Sequence, residues 1–359
     1  MVDVGVFGHA HVGPAARGIL AADAMEEAFE ISEFGRERLP LVLAPKRATR
    51  KDEFFELLRG YEAALHRRLL ENGGLLFRGF PIDDADDFAR VIDALATGPS
   101  VNYIGGDSPR NKIKGAIYTS TEAPKDVLIP LHNELSFVRH YPKHIFFFCD
   151  VPPEEGGETI VGDARRVYQA LDPSVRERFV RKQLKYVSSY YGTSVVMDLL
   201  NRLQPSHKSW RDVFETRERA EVERLCREHD FDFQWHTDGN WLRISQTRPA
   251  AMTHPETKEW VWFSQPHLYD FSPRLLGPWR YVGAKLFYAR PHTRLHEIFH
   301  ADGSRVKRRD LYHLMDTLEA NTIAFPWRRG DVLMLDNVLS MHGRATFKGK
   351  RRILAALTS

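Results

Sequence analysis

The chain has 359 residues, 43% of them hydrophobic and 28% charged. That balance suits a globular protein with a sizeable core and excludes disorder and fibrous repeats. Fifty-one Lys and Arg against 48 Asp and Glu leave a net charge of +3, too little to point to nucleic acid as a partner. The two cysteines, Cys149 and Cys226, support neither a disulfide framework nor a Cys-based zinc site. With no basic start followed by an apolar run and no apolar stretch near bilayer length, a cytoplasmic protein without membrane contact is expected.

In chain order, residues 1–37 are Gly- and Ala-rich without a sustained period and are expected to form an arm or short helix lying on the main body. Phe54, Leu57, Leu58, Tyr61, Leu65 and Leu69 recur at three-and-four spacing and predict an amphipathic helix over 52–71. A strand follows at 74–80. Phe88, Val91, Ile92 and Leu95, behind an acidic start that suits the positive end of a helix dipole, predict a second helix over 84–95. Short β-branched and aromatic runs predict strands over 117–121, 129–137 and 144–151. From 164 to about 232 the period becomes helical and predicts a helical insertion. Strands return over 242–246, 250–254, 259–263, 322–325, 332–336 and 352–357. The pattern predicts a mainly β fold with helical decorations, a double-stranded β-helix (cupin-like jelly roll), forming one domain over 38–359.

Two His and one carboxylate on one face of an Fe(II) ion form a common oxygen-activating site, and its local signature is His-x-Asp/Glu. Among sixteen histidines, four such triplets occur: His132-Asn133-Glu134, His236-Thr237-Asp238, His254-Pro255-Glu256 and His300-Ala301-Asp302. The last three run into turn-forming residues and are expected at exposed reversals. In IPLHNELSF, period-2 alternation places His132 and Glu134 on the same face of a strand or its end, where both can reach one ion. The blander reading is a His and a Glu on a solvated face. His342, after the strand at 332–336, is the candidate third ligand. Ten residues further on, Arg352 lies beside Arg351; on a strand the two face opposite sides, so only one can meet the distal carboxylate of a dicarboxylic cosubstrate. Spacing leaves open which.

The segments Ser108-Pro109-Arg110, Tyr118 to Glu122, IPLHNELSF, HIFFFCDVPPEEGGET, RPAAMTHPETKEWVWFSQ, HADGS and FPWRRGDVLMLDNVLSMHGRATFKGKRRIL occur here in order. In them the chain resembles the taurine dioxygenase (TauD/TfdA-like) family of Fe(II)- and 2-oxoglutarate-dependent oxygenases, most of all the subgroup associated with amino-acid β-hydroxylation in peptide natural-product pathways. The resemblance implies His132, Glu134 and His342 as iron ligands. It implies Thr159 and, as the second of the pair, Arg352 as partners of 2-oxoglutarate, with O2 as the third reactant. Asn133, His267 and Arg344 adjoin the ligand or pocket motifs and are the expected substrate contacts; Phe137, Phe263 and Trp327 are candidate dry walls. The implied partner is a small-molecule substrate, an amino acid either free or carried as an aminoacyl carrier protein, with a homo-oligomer left open. Competing outcomes are desaturation or epimerisation on the same site, a non-catalytic jelly-roll binding protein, and a zinc hydrolase.

Overall fold

The computed structural model describes residues 22–34, 37–95, 97–101, 112–120, 123–194, 197, 208–287 and 293–359. Its largest element is an eight-stranded sheet with the order Phe29–Phe34, Glu37–Pro45, Gly74–Phe77, Val332–Asp336, His144–Val151, Arg352–Thr358, Ile117–Thr119 and Lys112–Lys114. Strand alternation decides what each face does. In HIFFFCDV, Phe146 and Phe148 point to a cluster with Phe54, Leu58, Phe88 and Val91 of the N-terminal helices. Ile145, Phe147 and Cys149 point the other way, to a cluster shared with Val161 and Ile323. Those residues belong to a four-stranded sheet ordered Ile323–Ala324, Thr159–Asp163, Ser340–Arg344 and Ile129–His132. Two sheets face to face over one core make the expected jelly roll. No helix among the described residues is long and apolar enough to cross a membrane.

Several elements differ from expectation for local reasons. The helix expected over 52–71 is two, Lys51–Gly60 and Glu62–Asn72, separated at Tyr61. The strand expected over 129–137 stops at His132, and Leu135 adopts a left-handed φ of 54° in the turn that follows. The expected arm lies outside the described residues up to 21. Beyond that point Ala22–Ala28 is a short helix, and Phe29–Phe34 adds an unexpected strand, paired antiparallel with Glu37–Pro45 at the sheet edge. Met25 and Phe29 are buried there, and sealing a side chain of that size is worth roughly 1.5–3 kcal/mol. The insertion contains helices Ala164–Ala170, Pro173–Lys182, Trp210–Val213 and Arg219–Glu228, but also the strand Leu184–Tyr191. That strand pairs with Trp241–Arg248 and His296–Phe299 in a separate sheet. Its two central serines conceal it from a hydrophobicity reading; both are buried.

Candidate metal and cosubstrate site

His132 ends its strand directly opposite His342, and the two rings lie 4.4 Å apart between centroids. A side-chain Cβ at Gly343 would collide with the Ile129 carbonyl, so glycine lets these strands approach. Glu134 Oε2 is 3.5 Å from His342 Nε2. One candidate ligand atom from each of His132, Glu134 and His342 lies within 4.8 Å of the other two, the one such group of His, Cys, Asp and Glu among the described residues. His132 Nδ1 is 2.9 Å from the Pro130 carbonyl. A carbonyl only accepts, so Nδ1 carries the proton and Nε2 keeps its lone pair for a ligand role. Glu134 and His342 are 3% and 5% exposed. Two imidazoles and a carboxylate converging in a nearly dry site fit an Fe(II) ion, whose charge would offset the cost of burying Glu134.

The turn that carries Glu134 is held by Asn337, a residue whose importance sequence reasoning missed. Its carboxamide accepts from the Glu134 N–H at 2.7 Å and donates to the Glu134 carbonyl at 2.9 Å and to the Pro142 carbonyl at 2.8 Å. Asn133 completes the clamp from the other side, donating to the carbonyls of Asn337 and Ser340. It is fully buried, so the expected substrate contact at Asn133 is corrected: its amide supports the turn. Removing the Asn337 side chain strips the partners from the buried Glu134 amide, a loss of about 1–3 kcal/mol for each unsatisfied group. Asn337→Ala is therefore expected to lower the melting temperature and to weaken iron binding about 10- to 100-fold. Metal titration alongside a melting curve checks this; unchanged iron affinity would leave Asn337 with a packing role alone.

His342, Arg344 and Thr159 share the inner face of the smaller sheet, Arg344 lying opposite Thr159. With Ser120, His132, Phe147 and Arg351 they line one narrow cavity. Thr159 Oγ1 is 3.2 Å from the indole N–H of Trp327. An indole only donates, so the threonine oxygen accepts and its own proton is left for an acceptor in the cavity.

The expectation at Arg352 is corrected by its placement. Ile353, Ala355 and Leu357 face the core between the sheets, so alternation turns Arg351 inward and Arg352 outward. A bulge opposite the pair leaves Asp150 unmatched in the register. Asp150 takes the half-exposed Arg352 guanidinium at 2.9 Å. Arg351 instead donates to the Gly157 carbonyl at 2.8 Å and to Ser120 Oγ at 3.3 Å. Burial, and secondly the nearby Arg344, push its pKa down to about 10, and no carboxylate pairs with it among the described residues. A half-buried guanidinium lining the same cavity as the Thr159 hydroxyl is a receptor for an anion.

The other expected residues sort differently. Arg344 donates to the carbonyls of Ala123, Pro124 and Val127 and so fastens that loop, while it also lines the cavity. His267 is 1% exposed and has a pKa pushed down to about 3 by burial and then by neighbouring His132, so a neutral imidazole stands beside the triad. His254 and His300 do lead into exposed turns, at 255–257 and 301–303, but their own side chains turn inward. Both are buried, His254 against Asp336 at 3.1 Å and His300 against the Gln183 carbonyl at 3.1 Å. His236 pairs locally with Asp238. Phe137 and Phe263 pack on Tyr186, Tyr269 and Tyr141 as core. The Ser108–Arg110 motif and Glu122 lie outside the described residues.

The family model for "Taurine catabolism dioxygenase TauD, TfdA family" matches residues 45–358. The chain belongs to the TauD/TfdA family. It is an Fe(II)- and 2-oxoglutarate-dependent oxygenase, with iron, 2-oxoglutarate and O2 as its reactive set. The oxygenase is 31% identical to dapdiamide synthesis protein DdaC of Enterobacter agglomerans over 325 residues, 90% of this chain and 92% of that one. It is 29% identical to a clavaminate synthase-like protein of Arabidopsis thaliana, covering 85% of this chain and 87% of the relative. Among solved structures, PvcB of Pseudomonas aeruginosa shares the fold, with a TM-score of 0.52, 17% identity, and 92% and 90% of the two chains covered.

Proposed function

We propose that this oxygenase hydroxylates an unactivated C–H bond of a small substrate, an amino acid free or tethered to a carrier, during synthesis of a specialised product. In this reading His132, Glu134 and His342 hold the iron, and Arg351 with Thr159 holds the distal carboxylate of 2-oxoglutarate. One observation carries it: the two histidines of the triad line the same cavity as the half-buried Arg351 guanidinium, which has no carboxylate partner among the described residues. The likeness to a dapdiamide synthesis protein and the resemblance to amino-acid β-hydroxylases support the substrate class.

When bound, iron and 2-oxoglutarate supply oxidation by O2, with succinate and CO2 as co-products. The chain supplies aim and dryness. Asn337 and the Pro130 carbonyl fix the Glu134 backbone and the His132 ring. Arg351 and the Trp327-oriented Thr159 hydroxyl fix one end of the cosubstrate. Phe147, whose ring lies 5.2 Å from that of His342, closes the floor of the site against water.

Glu134 also bears on the outcome, because it fills the metal position that a chloride ligand would need. Incubation with an amino-acid panel, chloride and 18O2 is expected to give a product heavier by one labelled oxygen together with equimolar succinate. A chlorinated product, or an unsaturated product without label, would sink hydroxylation as the reaction.

A further inference from the structure

Outside the cavity just described lies a second one of about 680 Å3. Ser120, Arg344 and Arg351 line both, so the two spaces adjoin across these side chains. The outer cavity is also bordered by Lys125, Lys350 and Arg352, and none of its described lining residues is acidic. Of the acids nearby, Asp150 pairs with Arg352 of this lining, Glu155 with Lys348 and Asp126 with Arg280, while Glu154 beside Gly349 and Glu158 near Arg351 stay outside the lining, so the lining keeps an excess of cations. Lys125 rests its ammonium on the Gly349 carbonyl. Exposed Lys350 has no ion pair among the described residues. A recess walled by low-dielectric protein and lined by one sign of charge concentrates ions of the opposite sign.

We propose that this outer cavity is a second, weak binding site for small dicarboxylates, from which 2-oxoglutarate is handed inward past Arg351. The proposal rests on the reading that Arg351 is the inner carboxylate partner. The lysines act on capture, because they lie at the mouth. Arg351 acts on retention, because it lies inside. The two roles separate kinetically: charge at a mouth changes association rates, and a desolvated partner changes dissociation.

The test is stopped-flow binding of 2-oxoglutarate to the Mn(II)-loaded enzyme without oxygen or substrate. Lys350→Glu, and independently Lys125→Gln, are expected to slow association about three- to tenfold at low ionic strength. Dissociation should stay unchanged, and the difference should vanish near 0.5 M salt as the charges are screened. Lys350 has no structural partner to lose, and a melting curve confirms that each variant is folded. Wild-type association rates in both variants at low salt, or a defect equally large at high salt, would overturn the proposal. Arg351→Gln is the separate control. If it left dissociation unchanged, the inner assignment would fall whatever the lysine variants showed.

Discussion

His132→Ala and His342→Ala are each expected to abolish turnover and to lower iron affinity by orders of magnitude. Each removes one of three donors that converge within 4.8 Å, and two remaining donors hold an ion far less firmly than three arranged on one face. The sheets themselves do not depend on the metal: their hydrophobic clusters run through both layers, so far-UV circular dichroism of both variants should match that of the wild type. His236→Ala, on a partly exposed turn, should retain iron and activity. His254→Ala should retain the triad yet lose stability, because the partner of buried Asp336 is removed, at a cost of about 1–3 kcal/mol. Iron titration and melting curves on the four variants test the whole pattern. Iron binding lost in His236→Ala and kept in His132→Ala would refute the triad.

Arg351→Ala is expected to weaken 2-oxoglutarate binding strongly while Arg352→Ala leaves it nearly unchanged. Truncating a desolvated charged partner of a carboxylate costs about 2–5 kcal/mol, roughly thirty-fold or more in affinity. The Arg352–Asp150 pair is half exposed, and such surface pairs are worth about 0–1 kcal/mol. Apparent cosubstrate affinities of the two variants decide the matter. The opposite ranking would return the role to Arg352. Equal, small effects would leave Thr159 without a cationic partner and remove this cavity as the cosubstrate site.

Much of this protein was legible in sequence because it depends on local order. The segment IPLHNELSF marked His132 and Glu134 as a pair of ligands, although only His132 lies on the strand and Glu134 reaches the site from the turn after it. The succession of short strands with turns between them called for two packed sheets, and the ordered motifs identified the family. Where the chain turns is less legible. The strand ends at His132 rather than running to 137, because Asn337, some two hundred residues away in sequence, takes the Glu134 amide that a continued strand would have given to a neighbour. The burial of His254 has the same kind of cause: Asp336, on a distant strand, is its partner, and nothing in His254-Pro255-Glu256 announces it.

The two arginines show most clearly what tertiary structure alone decided. Sequence established that Arg351 and Arg352 face opposite ways, since neighbours on a strand must. Which face is the inside depends on the register of Arg352–Thr358 against His144–Val151, and on the bulge that offers Asp150 to Arg352. Alignment by motif favoured the second arginine; pairing of the strands turned the first one inward. Residue types and their spacing thus determined the metal-binding chemistry and the presence of an arginine beside it, because both are properties of short segments. The choice of arginine, the clamp on Glu134 and the burial of the remaining histidines were decided by contacts between segments far apart in the chain, whose energies come into being only when the sheets close on one another.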